Sequence, residues 1–328
     1  MRKTTSKAKL AIEYCKKYPE KSTKALAELL ASKYGHIFEN YGQARNTVRY
    51  YRDEKDANKI KKKSEIVQRD FRPMLPTEDS ADYQPYILEG VSRIGIISDI
   101  HIPNHRNREI NLALQKFDEY GVDCIIINGD LLDNTPYTKF LTPPDKKDAR
   151  RYLNMAEDFL QMLRNAYPDT RIIWAEGNHD FWYYQYLMRK APELYGDPYY
   201  HLQHRLRLSE KYIEFIPQTS YIMAGKLAIC HGHYLVRGIF TPVSAARTVM
   251  MKAKVPCIIG HVHKTSEFTQ TDLHGQIVTT WSTGCLCTLT PDYQPMGGDA
   301  NYGFATAEIS ADGNFHVNNY RIYNGQIL

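Results

Sequence analysis

Five short polar motifs follow apolar runs in one order along the chain: Asp99-x-His101, Gly129-Asp130-x-x-Asp133, Gly177-Asn178-His179-Asp180, His231-Gly-His233 and Gly260-His261-x-His263. Their carboxylates, imidazoles and single side-chain amide form a donor set of hard oxygens and borderline nitrogens. Such donors suit Mn²⁺, Fe²⁺ or Zn²⁺, and the absence of thiolates among them argues against a structural zinc site. Two ions about 3.5 to 4 Å apart can share one carboxylate and hold a hydroxide acidic enough to attack phosphorus at neutral pH. The same ions stabilise the charge that builds on the phosphoryl oxygens. A lone Asp after a strand is usually a helix cap or turn former, and a lone His usually a satisfied surface or core residue. Any one of these patterns recurs by chance; the ordered set reads as a two-metal phosphoester hydrolase.

For side chains so far apart in sequence to converge, the runs before them must be neighbouring strands. RIGIIS (93–98), DCIIIN (123–128), RIIWAE (171–176), KLAIC (226–230) and CIIG (257–260) are short continuous apolar segments of the kind buried on both faces. Helical stretches over 107–120 and 147–166 separate the first three, giving β-α-β-α-β. Loops leaving the carboxyl ends of strands in such sheets supply ligands, and every motif occupies that place. EFTQT, QIVTTWSTG and GFATAEIS alternate and read as antiparallel pairs, so residues 91–328 form a layered α/β sandwich.

Ahead of this domain, residues 6–18, 22–34 and 41–53 read as three helices. Ser22 or Thr23 can cap the second, which carries Leu26, Leu29 and Leu30 on one face and meets a stop at Gly35. The third combines Val48 and Tyr51 with Arg45, Asn46, Arg49 and Arg52. Residues 1–62 thus resemble a helix-turn-helix module whose last helix would read a DNA groove; the alternative is a helical interaction or dimerisation cap. From 63 to 90 the chain, entered through Lys59-Ile-Lys61-Lys62-Lys63, loses periodicity past Pro73, Pro76 and Pro85 and reads as a linker. Residues 1–70 hold 18 Lys and Arg against 9 Asp and Glu, a net of +9, while the rest hold 24 against 28, a net of −4. A positive block of that kind points to a polyanion, nucleic acid ahead of membrane, with a solvated lysine-rich surface as the bland alternative.

The set DxH, GDxxD, GNHD, H and GHxH resembles the calcineurin-like metallophosphoesterase superfamily over residues 93 to about 315. The resemblance implies a four-layer α/β/β/α sandwich behind the small all-α N-terminal domain. It also implies one metal on Asp99, His101 and His263, a second on Asn178, His231 and His261, and Asp130 bridging them, with Mn²⁺ first and Fe, Zn or Mg as alternatives. His179 then protonates or stabilises the leaving group, oriented by Asp133 or, second, Asp180. Phosphoprotein phosphatases of this superfamily usually carry GDxxDR and GNHE, whereas this chain has Asn134 after Asp133 and ends its motif in Asp180. GNHD is the form shared by nucleases and other diesterases, and by some monoesterases. A helix-turn-helix fused to such a domain resembles phage and prophage proteins.

His105 and His233 stand on the same rim as candidates to touch substrate. Trp182 and Tyr183, directly after the GNHD loop, could stack on a base; the alternative is that these aromatics pack a helical lid. None of the six cysteines forms a CxxC pair, and Cys124, Cys230 and Cys257 lie in apolar runs as core residues. With no signal peptide and no long apolar run, a cytoplasmic protein is expected, one with no membrane partner. The reading is therefore a phosphodiesterase or nuclease acting on DNA or nucleotides. A phosphomonoesterase on a small metabolite or nucleotide is the first alternative. A DNA-binding regulator with a metal-bound scaffold domain is the second, though the full ligand set counts against it.

Overall fold

The computed structural model describes residues 5–52, 83–139, 141–142, 148–236, 243–291 and 298–328. The lysine run at 59–63 and most of the stretch read as a linker lie outside them. The chain divides into two units, Met1–Ser80 and Ala81–Leu328.

In the first unit, α1 (Ser6–Lys17), α2 (Thr23–Lys33) and α3 (Tyr41–Arg52) enclose a small core of Ala11, Tyr14, Leu26, Ala27, Leu30, Phe38, Ala44 and Val48. Ser22 caps α2, its hydroxyl accepting the Ala25 N–H at 3.2 Å. Leu26 and Leu30, one turn apart, are fully buried and contribute about 1.5 to 3 kcal/mol each. Leu29 is only partly buried against them. Ala44 and Val48 give α3 its inward stripe, which leaves Arg45, Asn46 and Arg49 exposed.

The second unit is mixed α/β with two sheets. Its elements run β1 (Tyr86–Leu88), β2 (Arg93–Ile97), α4 (Asn107–Tyr120), β3 (Cys124–Asn128), α5 (Ala149–Ala166), β4 (Arg171–Ala175), α6 (Asn178–Lys190), β5 (Ile213–Ile216), β6 (Ile222–Ala224), β7 (Leu227–Cys230), α7 (Ala245–Ala253), β8 (Cys257–Ile259), β9 (Ser266–Thr271), β10 (Ile277–Ser282), β11 (Tyr302–Ile309), β12 (Phe315–Tyr323) and β13 (Gln326–Ile327). One sheet is ordered β13-β12-β11-β2-β3-β4-β5, with β2 to β5 parallel. The other is ordered β1-β6-β7-β8-β10-β9.

Both faces of the central strands are covered, which explains their continuous apolar runs. Ile94, Ile96, Cys124, Ile126 and Ile173 meet Ile222, Leu227, Ile229 and Ile258 of the other sheet. The alternate residues Ile97, Ile125, Ile127 and Ile172 turn to α4, α5 and α6, where Phe117, Leu160 and Leu187 receive them. On the far side of the second sheet, Val249 of α7 packs on Ala228, Cys257 and Ile259. All six cysteines are free, Cys124 and Cys257 in these cores and Cys230 half-buried.

At the end of the stretch read as a linker, Tyr86–Leu88 pairs in parallel with β6 as an edge strand, held by hydrogen-bond register rather than by any periodicity three residues could display. β5, interrupted by Glu214, and the three-residue β6 likewise go unmarked in the sequence. Among the described residues no helix is long and apolar enough to cross a membrane.

Candidate metal centre

Each motif leaves the carboxyl end of its strand: Asp99 and His101 after β2, Asp130 after β3, Asn178 at the start of α6 after β4, His231 after β7, His261 and His263 after β8. The backbone there is strained. Asp99, His101, Asp130, His261 and His263 all have φ between 49° and 67°, a conformation that costs a non-glycine residue about 1 to 2 kcal/mol. Five such residues on one rim mark a place where geometry is kept against local preference. Two motif glycines serve the same packing. A Cβ on Gly129, itself at φ +86°, would lie 2.2 Å from His231 Nδ1, and one on Gly177 would lie 2.2 Å from Asp130 Oδ1.

The side chains converge. His263 Nε2 is 3.2 Å from Asp99 Oδ1 and 3.1 Å from His101 Nε2. His231 Nε2 is 3.1 Å from both Asp130 Oδ2 and Asn178 Oδ1. The same Asp130 oxygen stands 3.6 Å from His101 Nε2, so one carboxylate meets both groups. Asp130, His231 and His261 cluster closely enough to hold one ion, as do His101, Asp130 and His179. His261 is also anchored through its backbone, its N–H donating to Asp99 Oδ2 at 2.9 Å.

Asp99 and Asp130 are 0% and 1% exposed. Burial would raise their pKa values, but His263 holds Asp99 at about 2, and His231, with His179 and His101, holds Asp130 well below the usual range. Reciprocally, burial disfavours the His231 imidazolium, yet Asp130 outweighs it and pushes the group up to about 10. Burial and the neighbouring His231 push His261 down to about 4. The buried carboxylates thus draw positive charge onto imidazoles whose nitrogens face one another, a donor set that fits divalent cations in place of protons.

Outer partners orient these ligands. His231 Nδ1 donates to the Asn128 carbonyl at 2.9 Å. His101 Nδ1 lies 3.2 Å from Asp133 Oδ1, and His263 Nδ1 faces the Cys287 thiol at 3.9 Å. Neither Asn128 nor Cys287 is marked by the sequence: a backbone carbonyl carries no residue signature, and Cys287 lies outside every motif. Asn134, where the phosphatase pattern has arginine, donates through Nδ2 to the carbonyls of His179 and Asp180 and so ties two loops together.

Several expected roles change. Asp133 gives its carboxylate chiefly to His101; His179 Nδ1 instead finds the Asp133 carbonyl at 2.9 Å, with the carboxylate at 3.6 Å. The Asp180 carboxylate is committed to the loop rather than to the His179 ring. It accepts from the backbone N–H of Leu132 and Gly177, each at 2.9 Å, and from Trp174 Nε1, which makes it a scaffold for that loop. Tyr183 is buried and donates to the Tyr200 carbonyl at 2.6 Å, so it packs the helical segment and is closed to substrate. Trp182 stacks on His179, ring centroids 3.8 Å apart. His105 lines a separate cavity with Arg106–Glu109, while His233 sits beside His231 and His261 with centroids at 5.6 and 6.1 Å. Arg52 of α3 is committed within its own unit, donating to the Pro19 carbonyl at 2.8 Å and to the Thr23 hydroxyl.

Just before the GNHD loop, Glu176 is buried with one oxygen accepting the Gln218 N–H and the other without a partner among the described residues. Burial, with Asp180 adding to it, raises its pKa from near 4.5 to about 8. Between those values the unfolded chain has released a proton that the folded chain keeps, so stability falls as pH rises through that window, by up to about 1.4 kcal/mol per pH unit. Glu176→Gln is expected to flatten this slope and raise the melting temperature more at pH 8.5 than at pH 5. Parallel melting curves for both proteins would refute the assignment.

The chain belongs to the calcineurin-like phosphoesterase family, whose model matches residues 92–281. Among solved structures it is similar to Vacuolar Protein Sorting 29 from Cryptosporidium parvum, at 15% identity over 73% of this chain and 95% of that one, with a TM-score of 0.39. A dimetal phosphatase from Danio rerio matches at 15% identity over 70% and 96%, with a TM-score of 0.37. The phosphoesterase Yfce from E. coli matches at 15% identity over 69% and 98%, with a TM-score of 0.33. No curated protein matches the chain. Metal-dependent phosphoester hydrolysis is the chemistry of the family, whose members typically bind two divalent metals, and candidate ligand groups for such ions are present.

Proposed function

We propose that this chain is a two-metal phosphodiesterase acting on DNA or nucleotides, with Mn²⁺ as the preferred ion. The observation that carries the two-metal reading is the Asp130 carboxylate, whose one oxygen faces His231 on one side and His101 on the other. Asp99, His101 and His263 would hold one ion and Asn178, His231 and His261 the other, with Asp130 shared. When bound, the ions supply Lewis acidity and a water acidic enough to attack phosphorus at neutral pH. His179 works at the opposite end of the phosphoryl group. Its Nδ1–H is spent on the Asp133 carbonyl, so Nε2 is the atom that delivers a proton to the leaving oxygen.

The preference for a diester rests on charge. The cleft, of about 230 Å³, is lined by Asp130, His179, His261, His263, Thr288 and Asp299 among others, and no Lys or Arg is among its described lining residues. Beside the metal ions, a monoester dianion is gripped best by Arg, whereas a diester carries one charge less and depends less on such side chains. Added Mn²⁺ is expected to support faster turnover of bis-nitrophenyl phosphate than of nitrophenyl phosphate. Hydrolysis of the monoester alone would replace this reading with that of a phosphomonoesterase.

Delivery to nucleic acid is assigned to the N-terminal unit as a helix-turn-helix module, supported by the net +9 of residues 1–70 and by the exposed Arg45, Asn46 and Arg49 of α3. Arg52 is withdrawn from that set by its bonds to α2 and the turn before it. Deleting residues 1–62 is expected to weaken DNA binding and to flatten its salt dependence, by about 0.9 in the log–log slope for each phosphate the shortened chain no longer neutralises. Turnover of a small diester should not change. Equal DNA binding by both forms at low salt would reassign the unit as an interaction cap.

A further inference from the structure

Trp182 follows His179 by three positions on α6, the spacing at which a helical side chain leans back over the preceding turn. The indole lies on the imidazole with centroids 3.8 Å apart and planes 29° from parallel. On another side the His101 ring meets His179 edge-on, 4.5 Å away at 88°. The third constraint is the hydrogen bond from Nδ1 to the Asp133 carbonyl. α6 itself is fixed to the core by buried Tyr183, Tyr184 and Leu187.

We infer that Trp182 is a positioning residue for His179: its indole face holds the imidazole plane so that Nε2 points at the leaving oxygen, rather than stacking on a nucleobase. This rests on the reading of His179 as the leaving-group acid. One hydrogen bond fixes a single ring atom, and the edge-on His101 ring bounds the imidazole on one side only. The indole removes the freedom that remains. Proton transfer needs the nitrogen, proton and leaving oxygen aligned, and misplacement by about 1 Å costs as much as 10²-fold in rate.

Trp182→Ala is expected to lower kcat on an alkyl phosphodiester by about 10- to 10²-fold, with KM and metal content unchanged and little loss on a nitrophenyl diester. Trp182→Phe, which retains an aromatic face, should recover most of the rate, while Trp182→Leu, apolar but without a π face, should not. Independently of turnover, the His179 ring protons should resonate upfield in the wild type and lose that ring-current shift in Trp182→Ala. The inference is overturned if Trp182→Ala keeps its kcat on alkyl diesters while His179→Ala does not. A raised KM at constant kcat also overturns it, because that marks a residue touching substrate. If His179→Ala itself keeps full activity while the upfield shift is present in the wild type, the acid role has failed and the stacking has not.

Discussion

Asp130→Asn is expected to empty both metal positions and to lower kcat/KM on a nitrophenyl diester more than replacement of any other single ligand. The substitution preserves shape, so the loss follows from charge. Asp130 is buried beside His231, His179 and His101, and its negative charge is what pushes His231 up to about 10. A neutral amide there removes the attraction that would draw a cation to either group. Asp130 Oδ1 accepts the His179 N–H at 2.8 Å, a bond that the amide oxygen of asparagine can keep, so the start of α6 should stay in place. Loss of an orienting partner typically costs about 10- to 100-fold in metal affinity or activity, and loss of the shared ligand should exceed that, by about 10³-fold or more. Asn178→Ala, which removes one neutral donor, is the control and should weaken one ion only. Two metals retained per chain in purified Asp130→Asn, with activity intact, would remove the bridging role.

His179→Ala should leave the metals bound and slow turnover by about 10² to 10⁴, the range of general acid catalysis. The loss should depend on the leaving group. An alkoxide needs a proton as the bond to phosphorus breaks, whereas a nitrophenolate leaves without one. The ratio of wild-type to variant rate should therefore be large for alkyl diesters and small for nitrophenyl diesters. Equal losses on both would assign His179 to electrostatic stabilisation of the phosphoryl charge instead.

The strands and the motif residues are legible in the sequence because each motif ends an apolar run, and a strand buried on both faces writes itself as continuous Ile, Val and Cys. RIGII, CIIIN and RIIWA are strands whose alternate residues enter different cores, as their composition requires. The helix over Asn107–Tyr120 is equally readable from its periodicity and its glycine stop. What lies beyond reach is carried by backbone atoms and by loops. The acceptor of His179 is a main-chain carbonyl of Asp133, so a sequence pattern that promotes the Asp133 side chain misleads. Asp180 looks catalytic beside His179, but a carboxylate three residues into a helix can bond back to the N-cap amide, and here it does. The wall formed by Thr288, Leu289 and Asp299 comes from a stretch with no periodicity and no motif. Trp182 stands out in the sequence as an aromatic near the site, yet its partner follows from helical spacing alone.

The proposed chemistry depends on two divalent ions held around Asp130. Its most direct test is a titration of Mn²⁺ into chelator-stripped protein, following bound metal per chain and hydrolysis of bis-nitrophenyl phosphate together. No turnover is expected without metal, with a rise that completes only as the second equivalent binds and electron paramagnetic resonance showing a spin-coupled pair at the plateau. Full activity in the stripped protein, or a plateau reached with one uncoupled ion per chain, would contradict the two-ion chemistry.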